Sequence, residues 1–196
     1  MRRRWPAVIV ALVLVSVASA CGDDGRALAP APPTTATVPS TAAPAVEPTS
    51  LQLASPDVAE GAALDARFTC DGAGDAPRLL ITGAPPAVAE LAIAVVDVDA
   101  GGAVHWVVAG LPPGVEVVEP SVLPDGAVAG TNVDRSIGWA PPCPPPGDAA
   151  HRYELRLYAL ASPSGLVAGA DGRDAVDALE QAALERDVLT ATYARP

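Results

Sequence analysis

From Leu51 onward, short apolar runs alternate with turn-forming residues, and no helical period is sustained until near the C-terminus. "ELAIAVVDVD" (Glu90 to Asp99), "VHWVVAGL" (Val104 to Leu111) and "RYELRLYAL" (Arg152 to Leu160) have the length and apolar content of strands. In the last of these, Tyr153, Leu155 and Leu157 share one face, and Glu154, Arg156 and Tyr158 share the other. One helix is predicted from about Ala175 to Arg186, capped by Asp174. Its narrow stripe of Ala175, Val176, Ala178, Leu179, Ala182 and Ala183 suits it to lie on a sheet. "VLTATYA" (Val188 to Ala194) then reads as a closing strand. Many strands followed by one helix predict a mainly β, mostly antiparallel domain over residues 51–196, rather than an alternating α/β one.

The first fifty residues follow other patterns. "MRRRWPAVIVALVLVSVASAC" has a basic start, an apolar stretch from Ala7 to Ala20 and small residues before Cys21, as a secretory signal does. The apolar stretch is short for a membrane span. "Val-Ala-Ser-Ala-Cys" resembles the lipobox of bacterial lipoproteins, with Ala18 where Leu is more usual. The resemblance implies a signal peptide over residues 1–20 and an acylated Cys21 as the mature N-terminus, anchoring the protein to the outer side of a cell membrane. From Ala27 to Ser50, 20 of the 24 residues are Pro, Ala, Thr or Ser. Such a segment cannot bury enough apolar surface to offset its ordering entropy, so residues 21–50 read as a disordered tether that reaches at most about 75 Å.

Composition narrows the function. With 196 residues and 50% hydrophobic content, the chain can build one core, and aromatics at 4% leave it to Val, Leu, Ile and Ala. Removal of Arg2, Arg3 and Arg4 with the signal leaves nine arginines against 23 acids, a net charge of −14. This balance argues against a nucleic-acid partner. No lysine occurs, which excludes Schiff-base, phosphate-loop and Ser-Lys chemistry.

Two histidines occur, each at the start of an apolar strand: His105 beside Trp106, and His151 after the proline-rich run Pro141 to Gly147. A strand histidine is as readily a satisfied core or rim residue as a ligand. Asp97 and Asp99 lie two apart on one strand face; either the strand has reached solvent there, or the acids belong to a small polar pocket. A calcium loop fails because the fifth position is Gly101 and the twelfth Val108. Zinc held by His105, His151 and an aspartate lacks the usual close ligand spacing, so no metal or other cofactor is expected. No Gly-x-Ser-x-Gly elbow occurs, and Cys143 is flanked by prolines. With Cys21 acylated, Cys70 and Cys143 remain: either they are joined, for roughly 4 kcal/mol at most, or they are separate buried thiols.

"FTCDG" (Phe68 to Gly72), "DVDA" (Asp97 to Ala100), "HWVVAGLP" (His105 to Pro112), "GTN" (Gly130 to Asn132), "PPCPPPG" (Pro141 to Gly147) and "HRYELRLYAL" (His151 to Leu160) appear in that order. In this the chain resembles the phosphatidylethanolamine-binding proteins, nearest their bacterial Raf-kinase-inhibitor-like branch, from about Leu51 to Arg195. The resemblance implies a central antiparallel sheet packed against a smaller sheet and a C-terminal helix. It also implies a pocket for a small anion such as phosphate, acetate or a phospholipid headgroup, formed by Asp97, His105, Pro145, His151 and Tyr153, with Asp99 and Arg152 in support. The family's Asp-Pro-Asp-Ala-Pro is Asp-Val-Asp-Ala-Gly here, and its usual Tyr before the proline loop is Trp139, followed by Ala140 and Pro141.

The expected function is therefore a lipid-anchored, non-catalytic binding domain. The alternatives are an interaction or inhibitor module with a vestigial pocket, and a hydrolase or isomerase using the two histidines, for which no activated nucleophile is evident. In the producing cell, replacing Cys21 with Ser is expected to move the protein from the detergent phase to the aqueous phase. Unchanged partitioning would remove the anchor.

Overall fold

The computed structural model of the protein describes residues 50–195; the signal segment, Cys21 and all of the tether except Ser50 lie outside the described residues. Nine strands and one α-helix follow in order: β1 (Gln52–Ala54), β2 (Ala62–Ala63), β3 (Leu79–Thr82), β4 (Glu90–Asp97), β5 (Ala103–Leu111), β6 (Val117–Val118), β7 (Val128–Ala129), β8 (His151–Leu160), α1 (Gly172–Ala182) and β9 (Ala183–Tyr193). The large sheet has the order β2-β9-β8-β4-β5-β7 and the small one β1-β3-β6. The expected mainly β architecture is present, with one refinement: β2 runs parallel to β9, so the large sheet is mixed.

Strand β4 shows why the layers stack as they do. It is buried along its whole length, and its side chains alternate between two cores. Leu91, Ile93 and Val95 pack with Leu53, Leu79 and Ile81 from the small sheet. Ala92, Ala94 and Val96 pack with Val176 and Leu179 of α1. Alanines on the second face let the helix approach closely, while branched residues fill the wider gap between sheets.

The helix differs from its sequence expectation at both ends. Its cap is Asp171, whose side chain accepts from the backbone N–H groups of Arg173 and Asp174, and it stops at Ala182. Residues 183–187 have helical propensity but form the first part of β9, where Glu185 faces Ala159, Arg186 faces Tyr158 and Asp187 faces Leu157. Tertiary pairing with β8 overrides the local preference. Glu185 and Asp187 also accept from the N–H groups of Leu51 and Leu53, tying the domain's first strand to its last. Strand β4 ends at Asp97, two residues earlier than expected, because its side chain takes up the N–H groups of Asp99 and Ala100 and turns the chain.

Two local features place the site. Val95 stands opposite Trp106 and Val96 opposite Val104, so His105 is the extra residue of a β-bulge, which re-aims its side chain. Cys70 and Cys143, 73 residues apart, form a disulfide, and the Cys70 N–H donates to Pro142 O at 3.1 Å. The prolines can donate no backbone hydrogen bond, so this bridge attaches the proline run to the domain.

Changing both Cys70 and Cys143 to Ser is expected to lower unfolding stability by up to about 4 kcal/mol, read as a drop in the urea midpoint. An unchanged midpoint would show that the loop is held by other contacts.

Candidate functional site

The pocket begins where the inter-sheet core ends. Asp97 continues the face of Leu91, Ile93 and Val95, and Tyr153 and His151 continue that of Leu155 and Leu157. Beyond the small sheet this face is roofed by the proline run and leaves a cavity of about 320 Å³. Its lining includes Cys70, Asp97, His105, Val133, Asp134, Pro141, Cys143, Pro144, Pro145 and His151.

Asp97 is 3% exposed yet fully engaged. One carboxylate oxygen accepts from the N–H groups of Asp99 and Ala100, both at 3.0 Å, and the other takes Nδ1 of His151 at 2.8 Å. The hydrogen bond to this carboxylate raises His151 above the ordinary imidazole pKa of 6.5, so its charged form is favoured. Its other nitrogen, Nε2, lies 3.9 Å from the half-exposed Asp148. His105 has a different environment. It is buried, and its Nδ1 donates to Ala140 O at 3.0 Å while the Ala140 N–H returns a bond to His105 O at 2.9 Å. Burial lowers its pKa below 6.5 and favours the neutral ring.

Tyr153 stands behind the cavity rather than in its wall. It is 1% exposed and meets the His105 ring edge-on, with centroids 5.3 Å apart. Its hydroxyl has no hydrogen-bond partner among the described residues. Burial, helped by the Asp97 charge, holds the phenol protonated well above its usual range. Asp99 accepts from the Arg152 N–H at 2.7 Å and so anchors the start of β8. The Arg152 side chain is exposed and reaches only Glu154, at 3.8 Å. Pro145 is in the wall of the cavity.

The departures from the family pattern have structural accounts. A proline at position 98 could not donate the hydrogen bond that Val98 N–H makes to Arg152 O, which prolongs the β4–β8 ladder. Gly101 has φ 63°, a conformation closed to proline. Trp139 does not line the pocket: its indole N–H donates to Gly74 O at 3.1 Å, fastening the chain beside Cys70 to the proline run. Ala140 contributes through its backbone alone.

Sequence reasoning missed Val133, Asp134 and Asp148. Asn132, in the noted "GTN", organises the loop that carries the first two: its side chain accepts from the N–H groups of Asp134 and Ser136 and donates to Gly138 O. The position of Asp148, three residues before His151, was the only signal for it.

Comparison with known proteins shows the family and the fold. A family model described as phosphatidylethanolamine-binding protein matches residues 54–194. The chain is 38% identical over 196 residues to the Mycobacterium tuberculosis protein named "Putative lipoprotein LppC", covering 97% of this chain and 96% of the relative. It is 38% identical over 139 residues to a UPF0098 protein of Methanothermobacter thermautotrophicus, covering 67% and 91%. The crystal structure of E. coli YbcL, described as a member of the mammalian PEBP family, superimposes with a TM-score of 0.70 at 26% identity, covering 74% of this chain and 99% of that one.

The histidines give stability a pH dependence of known sign. His105, depressed in the fold, binds fewer protons there than when unfolded, so below pH 6.5 stability rises with pH. His151, raised in the fold, contributes stability that is fully present below 6.5 and is lost as pH rises through its folded pKa. The two contributions together peak near pH 6.5. Denaturant midpoints across pH 4–9 are expected to show a fall on the alkaline side that disappears in His151→Gln. A fall that persists in the variant would assign it to other groups.

Proposed function

The chain belongs to the phosphatidylethanolamine-binding protein family, and from that premise we propose that it is a lipid-anchored, extracytoplasmic binding domain whose pocket takes a small anion, phosphate or a phospholipid headgroup, without catalysing its turnover. The observation that carries this reading is the pairing of His105 and His151 across one small cavity. Each ring spends Nδ1 on the protein, and neither Nε2 makes a hydrogen bond among the described residues, that of His151 lying 3.9 Å from Asp148. Among the described residues no arginine lines the cavity, so a protonated His151, favoured by its bond to Asp97, supplies its positive charge. The wall of prolines and the disulfide is set before a ligand arrives, which reduces the ordering cost of binding.

Other features fit the same reading. Both cysteines in the lining are oxidised to each other, and neither Ser nor Thr lines the cavity, so no hydroxyl or free thiol faces it among the described residues. A disulfide belongs to an oxidising compartment, in keeping with a secretory signal over residues 1–20 and with the lipoprotein name of the mycobacterial relative. An interaction role has one observation in its favour: a wider cleft of about 650 Å³, lined by Arg67, Glu119, Ile137 and Trp139 among others, which shares no lining residue with the pocket.

Calorimetric titration with inorganic phosphate is expected to show binding by the native protein. His151→Ala should weaken it by about ten- to a hundred-fold, the worth of a charge-assisted hydrogen bond. An unchanged dissociation constant would overturn the reading. Capture of a protein partner that survives loss of both histidines would favour the interaction role.

A further inference from the structure

The hydrogen-bonding polarity of the pocket defines its ligand more narrowly than "anion". Among the described residues, the polar side chains in its lining, apart from the cystine, are Asp97, His105, Asp134 and His151. Asp97 is occupied by Asp99, Ala100 and His151. His105 Nδ1 faces a carbonyl oxygen, which can only accept, so Nδ1 must carry the proton. The ring is 5% exposed, and the Asp97 carboxylate is bonded to the other histidine, so the neutral form is preferred. Neutral imidazole protonated at Nδ1 presents a bare lone pair at Nε2. Asp134 adds a second acceptor at the rim and Asp148 a third near His151. The His151 imidazolium, bonded to Asp97 through Nδ1, offers one side-chain donor at Nε2.

We propose that the pocket selects an oxyanion that still carries a proton: one ligand oxygen accepts from Nε2 of His151, and the ligand's own O–H donates to Nε2 of His105. This rests on the anion-binding reading and specifies its chemical class. Hydrogen phosphate satisfies both partners at neutral pH. Sulfate, of like size and geometry, has no proton to give and sets an oxygen lone pair against that of His105. Dimethyl phosphate fails in the same way, because a phosphodiester anion carries no O–H; an ethanolamine phospholipid headgroup satisfies His105 only through an N–H of its ammonium. An acceptor left facing an acceptor in a small buried site costs more than a missing contact. Discrimination therefore comes from rejection.

The test is competitive titration of the native domain at pH 7 with inorganic phosphate, sulfate and dimethyl phosphate, with ionic strength held constant. Phosphate is expected to bind at least ten-fold more tightly than either of the others. Sulfate or dimethyl phosphate binding within two-fold of phosphate would overturn the inference and leave the anion pocket standing, whereas binding of none of the three would overturn both. A second readout is independent of affinity. Nitrogen-15 correlation spectra of the phosphate-bound protein are expected to show His105 neutral and protonated at Nδ1; a proton on its Nε2 would overturn the proposal.

Discussion

The carboxylate of Asp97 is the constraint from which the functional end of the domain follows. A charge at 3% exposure is tolerable only when its lone pairs are taken up, and an unpaired one would cost several kcal/mol. Here two backbone N–H groups and an imidazole meet that requirement. Each partner is also a structural consequence. Binding the N–H groups of Asp99 and Ala100 ends β4 and turns the chain, and binding His151 sets the direction in which β8 presents that ring. The carboxylate that closes the strand through one oxygen therefore favours the charged form of His151 through the other. An asparagine at position 97 could accept similar bonds but would leave His151 without its counter-ion, so the charge is a requirement of the pocket rather than of the turn.

The opposite wall is rigid for a different reason. Prolines lose little conformational freedom on folding but can donate no backbone hydrogen bond, so such a run has few ways to attach itself to a sheet. Three attachments supply what it lacks: the Cys70–Cys143 bridge, the Trp139 indole on Gly74 O, and the reciprocal bonds between His105 and Ala140. The last of these makes His105 both a pocket residue and a fastener. Its Nδ1 is committed to the wall, and only its second nitrogen is available to a ligand. The bulge in β5 makes this possible, because it turns His105 towards the loop without moving Trp106 and Val108 out of the inter-sheet core.

These dependencies explain what could be read in the sequence. Alternation along "RYELRLYAL" and the apolar run of "LAIAVV" are local signals, and they identified the central strands. The two cysteines were legible by parity. The boundary at Ala182 was not, because residues 183–187 favour helix and become strand only through pairing with β8, a partner remote in sequence. The bulge at His105 was hidden because two strands in register are needed to define it. Tyr153 was placed among the ligands by resemblance, whereas the fold sets it behind His105. Ala140 acts through its carbonyl and amide, which carry no side-chain signature, and Asp134 depends on a loop geometry set by Asn132.

The acidity of the domain bears on the pocket in a way that net charge alone misrepresents. Between residues 50 and 195 there are eight arginines and twenty carboxylates, so the long-range field opposes the approach of any anion. At physiological ionic strength, however, that field decays within about 8 Å, and a bound ligand responds to the groups in contact with it. Inside the cavity those are the imidazoles of His105 and His151 and the carboxylates of Asp97 and Asp134. An arginine-lined site would hold any oxyanion by charge. A site with one cationic donor surrounded by acceptors has little charge to offer, and it holds best a ligand whose own proton turns part of that acceptor excess into hydrogen bonds. The scarcity of positive charge, which at first argues against an anion site, is on this view what gives the site its selectivity.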